Sequence, residues 1–357
     1  MKKLLLPLAI AAVMPTTAFA MGETDTTFYG KMNVTAVHSN FESSNQNIAE
    51  DESGWNLNSN ASRVGFKGKT ELSEGLYAIY KAEVEVFVDS GISGSSSDDQ
   101  TFKQRNIYVG LSGNYGTIFA GRSDTVLKLS QAKVDLFGDL QGGDIKNWMS
   151  GETRSSNVVN YSTPEMAGFQ FSVMSILGED AGDRRDGLLD SYSAGLTFKH
   201  GGLYLALARD ENVKSGSFEK QFLNINRFVA SYKIGDLTLG GIYQQAEDAD
   251  NYDDNIFNTT NSTYDEDSYM LSASYKLGNF KLKAQYGEGE YDIELAPVGG
   301  SVVSDKFERE AWILGVDYSL AKTTKIYTYY SNIESNDNLI SYSEEDDVFG
   351  IGMEHKF

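Results

Sequence analysis

The sequence of 357 residues contains no cysteine and only 4 prolines. The lack of cysteine excludes a disulfide scaffold, a thiolate metal site and a thiol nucleophile. Basic residues are scarce, since 30 Lys and Arg stand against 51 Asp and Glu, and the net charge of -21 argues against nucleic acid as a partner. The histidines His38, His200 and His355 have no spacing typical of a metal site or a catalytic pair. We therefore expect no metal and no other cofactor.

Long apolar runs are lacking after the first twenty residues, and the mean hydropathy is only -0.36. At the N-terminus, Lys2 and Lys3 precede an apolar stretch over 4–13. The tripeptide Ala18-Phe19-Ala20 then matches a small-residue cleavage site. We expect residues 1–20 to be a signal peptide and residues 21–357 to be one exported domain.

A two-residue rhythm of apolar and polar side chains runs through most of the mature chain. In the last segment, Phe349, Ile351, Met353 and the terminal Phe357 share one face. Such alternation is typical of a membrane β-strand, with one face toward lipid and the other toward water. Around 75–88, Lys81, Glu83 and Glu85 lie on one face of an otherwise apolar strand. Charges in that position require a wet interior, which a filled soluble barrel does not offer.

The connections between these segments alternate in length. Tight turns such as 72–75, 112–114, 235–236 and 278–279 alternate with the long polar stretches 41–54, 89–100, 248–265 and 293–307. Short turns at one rim and long loops at the other are typical of bacterial outer-membrane barrels. The pattern predicts an all-β fold, a transmembrane antiparallel β-barrel of about sixteen strands.

Several stretches resemble the general diffusion porins of Gram-negative bacteria, a family of sixteen-stranded trimers. The matching segments are 62–68, 75–80, 105–111, 115–116, 121–122, 154–157, 161, 164, 168–169 and the terminal Phe357. The resemblance implies a passive channel for ions and small hydrophilic solutes, in a homotrimer in contact with outer-membrane lipid and lipopolysaccharide. It also implies that Phe357 is the signal read by the barrel-assembly machinery.

The resemblance further implies that a long third loop, here 123–153, folds into the lumen and narrows the pore. In the family, acids on this loop face a wall of bases, and the field between them orders water and orients solutes. The candidate acids are Asp135, Asp139 and Asp144, and the candidate wall bases are Arg63, Lys81, Arg105, Arg122 and Arg154. An alternative is that these bases only pair with nearby acids such as Glu83 and Glu85. The loop acids and the overall charge lead us to expect a weak preference for cations.

Two other function classes stay open at this stage. A binding or adhesion barrel would carry its function in the long loops, and an outer-membrane hydrolase would need a Ser and a His on the barrel wall. No G-x-S-x-G element accompanies the histidines. The acidic segment 248–254 lacks the Gly and distal Glu of a helix-loop-helix calcium site. It is either a solvated loop or a weak divalent-cation site at lipopolysaccharide phosphates.

Overall fold

The computed structural model describes residues 24–46, 49–89, 101–178, 187–215, 222–249, 263–295, 303–338 and 341–357. The expected signal peptide and most of the acidic segment 248–254 therefore lie outside the described residues. The described strands are β1 (Thr24–Ser43), β2 (Glu52–Ser59), β3 (Arg63–Ser73), β4 (Leu76–Val86), β5 (Phe102–Gly113), β6 (Gly116–Asp124), β7 (Arg154–Ser162), β8 (Phe169–Ile176), β9 (Tyr192–His200), β10 (Leu203–Lys214), β11 (Phe222–Ile234), β12 (Leu237–Asp248), β13 (Thr263–Leu277), β14 (Phe280–Leu295), β15 (Val303–Ala321), β16 (Thr324–Asp337) and β17 (Tyr342–Lys356).

These strands close into a barrel. Each strand from β4 to β16 pairs antiparallel with its two sequence neighbours, and β1 pairs with β17 on one side. On its other side β1 pairs with both β2 and β3, which are two halves of one wall strand. The break between them contains Ala61 at a φ of 48°. The wall therefore has sixteen strands, as predicted.

Alternating burial distinguishes the two faces of the wall. On β1, Lys31, Asn33 and Thr35 are buried and face the lumen, whereas Phe28 on the opposite face is 52% exposed. The outward row continues on neighbouring strands with exposed Phe66, Val109 and Leu111. The apolar outer face and polar inner face match the alternation in the sequence.

Several strands are longer than the sequence pattern predicted. The stretch 41–54, predicted as a loop, contains the end of β1 and the start of β2, and the stretch 293–307 contains the ends of β14 and β15. The predicted loop boundaries were wrong here because the outward positions of these strand ends are polar or charged, as at Glu42, Ser53, Glu294 and Lys306. Above the membrane, water solvates the outer face, so the ladder continues without an apolar outer row.

The long connection between β6 and β7 folds into the barrel. It contains α1 (Val126–Ser130) and a 3-10 turn (Ile145–Asn147). Its apolar side chains are buried against the inner wall of β10–β17 and β1; the loop members of this cluster are Val134, Phe137, Leu140, Ile145, Trp148 and Met149. Glycines of the wall make room for the large loop side chains. A Cβ at Gly287 would collide with Trp148, and a Cβ at Gly315 would collide with Phe137. The expected in-folded third loop is therefore present, over 125–153.

Across the described ranges, no helix combines the length and the apolar character needed to cross a bilayer.

Candidate functional site

The loop is fixed to the far wall by a buried polar clamp. Arg227 of β11 is 2% exposed and donates to Glu152 Oε1 at 2.9 Å and to the Ser150 carbonyl at 2.9 Å. Glu266 of β13 accepts from the Ser150 backbone N–H at 3.2 Å and from Gln244 at 2.9 Å. Because buried polar groups are costly when unpaired, these bonds hold the loop in one position.

On the opposite side of the lumen, five bases from four strands face the tip of the loop. Lys31 Nζ lies 3.1 Å from Asp139 Oδ2, and Arg63 lies beside Lys31 on the adjacent strand. We call the inward-facing bases of this region the basic wall: Lys31, Arg63, Lys67, Lys81 and Arg105. With the neighbouring acids they line a cavity of about 490 Å³.

Two acids on β4 pair with part of the basic wall. Glu83 accepts from Arg105 Nε at 3.0 Å and lies 3.4 Å from Lys81, and Glu85 accepts from Arg105 Nη1 at 2.9 Å. Arg63 and Lys67 have no ion pair within 4.0 Å among the described residues. The alternative of pairing with wall acids therefore holds for Lys81 and Arg105, whereas Arg63 and Lys67 keep charge available to solutes.

A β-bulge turns Arg105 toward the lumen. Val84 pairs with Gln104 and Ala82 pairs with Ile107, so two residues of β5 face the single residue Glu83. The extra residue allows Arg105 and Asn106 to point inward together.

The structure does not place the other two predicted wall bases in the gap. Arg154 lies at the root of the loop, where Asp124 holds its Nη2 at 2.9 Å and Asn106 Oδ1 accepts from its Nε at 2.8 Å. The expected lumenal position of Arg122 is wrong. It continues the outward row of Ile118 and Ala120 and donates to Ser156 Oγ at 2.7 Å.

Of the three predicted loop acids, Asp139 alone meets the basic wall. Asp135 accepts from the Phe137 N–H at 3.0 Å and from Gln285 Nε2 at 3.3 Å, so it joins the loop to β14. Asp144 caps the 3-10 turn by accepting from the Lys146 N–H at 3.1 Å and also accepts from the Asp139 N–H at 3.1 Å. These two carboxylates shape the loop.

The pKa values of the loop acids follow this division. Burial raises the pKa of Asp139, but Lys31, Arg63 and Arg105 outweigh burial and hold this pKa below its ordinary value. Burial and the nearby Asp144 raise the pKa of Asp135 to about 7. Burial also raises the pKa of Glu152, although Arg227 opposes the shift. Asp139 therefore stays charged at neutral pH and is the loop acid that faces the basic wall.

Sequence reasoning missed Lys31, Lys67 and the clamp. Lys31 and Lys67 lie on the polar faces of their strands, and the alternation of apolar and polar residues identifies these faces in the sequence. A search of every inward position would therefore have found them. Arg227 and Glu266 carry no such signal, because only the folded loop brings Ser150 to them. Within the described ranges, no three His, Cys, Asp or Glu side chains group in a way that could hold a metal ion.

Comparison with known proteins agrees with the closed sixteen-stranded wall, the in-folded loop and the charges that face each other across the gap. The model of the Gram-negative porin family matches residues 9–338. The chain belongs to the Gram-negative porin family. This porin is 26% identical to the major outer membrane protein P.IB of Neisseria meningitidis serogroup A over 370 residues, covering 100% of both chains. It is 28% identical to the P.IB protein of Neisseria gonorrhoeae over 346 residues, covering 91% of each.

Solved structures show the same fold at lower identity. The anion-selective porin from Comamonas acidovorans aligns with a TM-score of 0.67 and 21% identity, covering 94% of this porin and 100% of that chain. The outer membrane channel DcaP of Acinetobacter baumannii aligns with a TM-score of 0.68 and 15% identity, covering 94% and 97%. The porin is thus a passive, non-enzymatic diffusion channel of the Gram-negative outer membrane, rather than a hydrolase or an adhesion barrel.

Proposed function

We propose that this porin favours small anions at its constriction, and that the basic wall opposite Asp139 sets this preference. Six bases line the cavity, the basic wall and Lys356, and the carboxylates that line it or pair with these bases are five: Glu83, Glu85, Asp124, Asp139 and Glu354. An excess of fixed positive charge in a narrow gap with low-dielectric walls attracts anions and repels cations. The unpaired Arg63 and Lys67 carry the argument.

This proposal is opposite to the cation preference expected from the sequence. That expectation rested on the three loop acids and on the charge of the whole chain. Of the loop acids, Asp139 alone meets the basic wall, and a permeating ion responds to charges within about a Debye length, roughly 10 Å at 0.1 M salt. The name of the anion-selective Comamonas porin agrees with the proposal, although the similarity to that protein extends to the fold alone.

The test is the reversal potential of the purified channel in a planar bilayer under a KCl gradient. Anion preference gives a potential with the sign of chloride permeation, and replacing both Arg63 and Lys67 by Gln moves it toward zero. A potential with the sign of potassium permeation refutes the proposal. Liposome swelling with neutral sugars of graded size provides the control for an open pore.

We also propose that the chain forms homotrimers through the outer face of β3–β6. Outward positions there carry no acid, and Phe66, Val109 and Leu111 are exposed. Outward positions of β14–β17 instead form a row of directly opposed glutamates, Glu288, Glu310, Glu334 and Glu345. That acidic face suits contact with lipopolysaccharide and its divalent cations. Cross-linking of a Val109→Cys variant tests the interface, and failure to link subunits in the membrane contradicts it.

We also propose that residues 1–20 are a cleaved signal peptide and that Phe357 is an assembly signal. Cleavage of residues 1–20 is tested by N-terminal sequencing of the mature protein. Recognition by the barrel-assembly machinery fits the position of Phe357, which closes the seam with Gly30 through two backbone bonds of 2.9 and 3.1 Å.

A further inference from the structure

A second group of bases lies in the lumen beyond the basic wall, at the periplasmic mouth. Lys276 ends the inward row of β13 that contains buried Ser272 and Ser274, and Lys281 begins the inward row of β14 that contains buried Lys283. Their outward neighbours, such as Leu277 and Phe280, are exposed apolar residues. The turn between the two strands is 278–279, and short turns mark the periplasmic rim.

Like charges face each other in this group. Lys276 pairs directly with Lys281 across the two strands. Directly opposed like charges destabilise a sheet, so the fold gains nothing from this arrangement. Lys133 on the underside of the constriction loop lies within electrostatic reach of Lys281 and brings a third ammonium to the group.

Two acids, Asp317 and Glu354, lie near these bases. Asp317 of β15 is 7% exposed and binds Lys283 and Lys325, each at 2.9 Å. Glu354 on β17 is paired with Lys356 at 3.0 Å. Among the described residues, Lys133, Lys276 and Lys281 have no ion pair within 4.0 Å. The five lysines of this group therefore outnumber the two acids, and Lys133, Lys276 and Lys281 keep free ammonium groups.

We propose that Lys133, Lys276 and Lys281, supported by the Lys283–Asp317–Lys325 network, form an anion site for small multivalent oxyanions of the sulfate or phosphate type. Strands lie about 4.8 Å apart, so ammonium groups on neighbouring strands reach different oxygens of one such anion. Attraction grows with ligand charge, so a divalent anion is held more strongly than chloride. In this site Lys276 and Lys281 lie on β13 and β14, whereas the basic wall lies on β1, β3, β4 and β5. The site is also reached from the periplasmic side of the loop.

This inference names a substrate class for the lumen and rests on the proposed anion preference. The test uses the full-length channel in planar bilayers at fixed KCl, with sodium sulfate added to one side. Since the chain has no cysteine, labelling an Asn114→Cys background with an impermeant thiol reagent identifies the periplasmic side. The readout is the sulfate concentration that halves the chloride current.

We expect sulfate to act at lower concentration from the periplasmic side. The double variant K276Q/K281Q raises the half-inhibiting concentration about tenfold, because two of the three free charges are lost. The control is K199Q/K233Q, which removes two inward lysines near the same mouth but on β9 and β11, and it keeps inhibition within about twofold of the native channel.

Equal inhibition of the native channel and K276Q/K281Q overturns the site. An equal loss in K199Q/K233Q also overturns it, because the effect is then one of general mouth charge. Failure of the proposed anion preference can be told apart from failure of this site. The first changes the sign of the reversal potential in a KCl gradient, whereas the second removes the difference between sulfate added on the two sides of the membrane.

Discussion

Replacing Asp139 by Asn tests whether the loop acid and the basic wall control ion passage. The carboxylate lies 3.1 Å from Lys31 Nζ and is also close to Arg63 and Arg105. Asp139 has a φ of 70°, a left-handed conformation that Asn adopts readily, so the variant keeps the loop backbone. The substitution therefore removes one charge from the gap without reshaping it.

The magnitude follows from Coulomb's law. A unit charge about 8 Å from the ion path in water changes the energy of a monovalent ion by about 0.5 kcal/mol, with opposite sign for anions and cations. The difference of about 1 kcal/mol corresponds to about a fivefold change in the anion-to-cation permeability ratio. Salt at about 0.1 M screens roughly half of it, so we expect a two- to fivefold rise toward anions.

The measurement is the reversal potential in a salt gradient at pH 6, and the matched control is Asp135→Asn on the same loop. Asp135 bonds to Phe137 and Gln285 and its pKa is raised to about 7, so it is mostly neutral at that pH. The control should leave the potential unchanged. An effect of Asp135→Asn equal to that of Asp139→Asn, or no effect of Asp139→Asn, refutes the assignment.

Three further predictions concern the loop and the seam. Arg227→Gln removes the buried guanidinium that pairs with Glu152 and donates to the Ser150 carbonyl. Since breaking a buried pair costs about 3–5 kcal/mol, single channels should become noisier, whereas exposed Lys306→Gln should not change them. The pKa of Asp135 is raised by burial above its unfolded value, so loop docking is strongest below about pH 4 and weakens as pH rises through about 7. Limited proteolysis of the loop should therefore increase from pH 6 to pH 8, and a similar increase in Asp135→Asn would contradict this origin. Phe357→Ala removes the ring 5.8 Å from Phe28 and should slow barrel assembly, seen as more unfolded protein on unheated gels. The control is Phe349→Ala, an outward aromatic of β17, the strand that Phe357 follows.

The barrel could be predicted because its signal is set by backbone geometry alone. Side chains alternate along any strand, so Phe349, Ile351 and Met353 reveal the lipid face without knowledge of their partners. The exception is the bulge at Arg105, where one extra residue shifts the phase, and this shift depends on how β4 and β5 pair. Arg122 needed no such information, because the outward row of Ile118 and Ala120 already includes it.

The position of the loop could be predicted from the sequence, but the separate roles of its three acids could not. Asp135, Asp139 and Asp144 are equivalent in composition, and their roles depend on a fold without periodicity. Burial of Phe137 and Trp148 over wall glycines decides which carboxylate reaches the gap. The apolar content of the loop was the available signal, because a solvated loop has no reason to carry so many large apolar side chains.

The effect of a charged residue on transport depends on whether it faces the lumen or the outside of the barrel, and this porin has different charges on the two faces. The outer face of β14–β17 carries the opposed glutamates Glu288, Glu310 and Glu334, whereas the lumen below the loop carries lysines such as Lys276 and Lys281. The barrel wall separates an ion in the gap from the outer glutamates, whereas the ion passes the lumenal bases directly. A strongly acidic chain can therefore form an anion-favouring pore, and a variant that neutralises Glu310 should alter lipid contact while leaving the reversal potential unchanged.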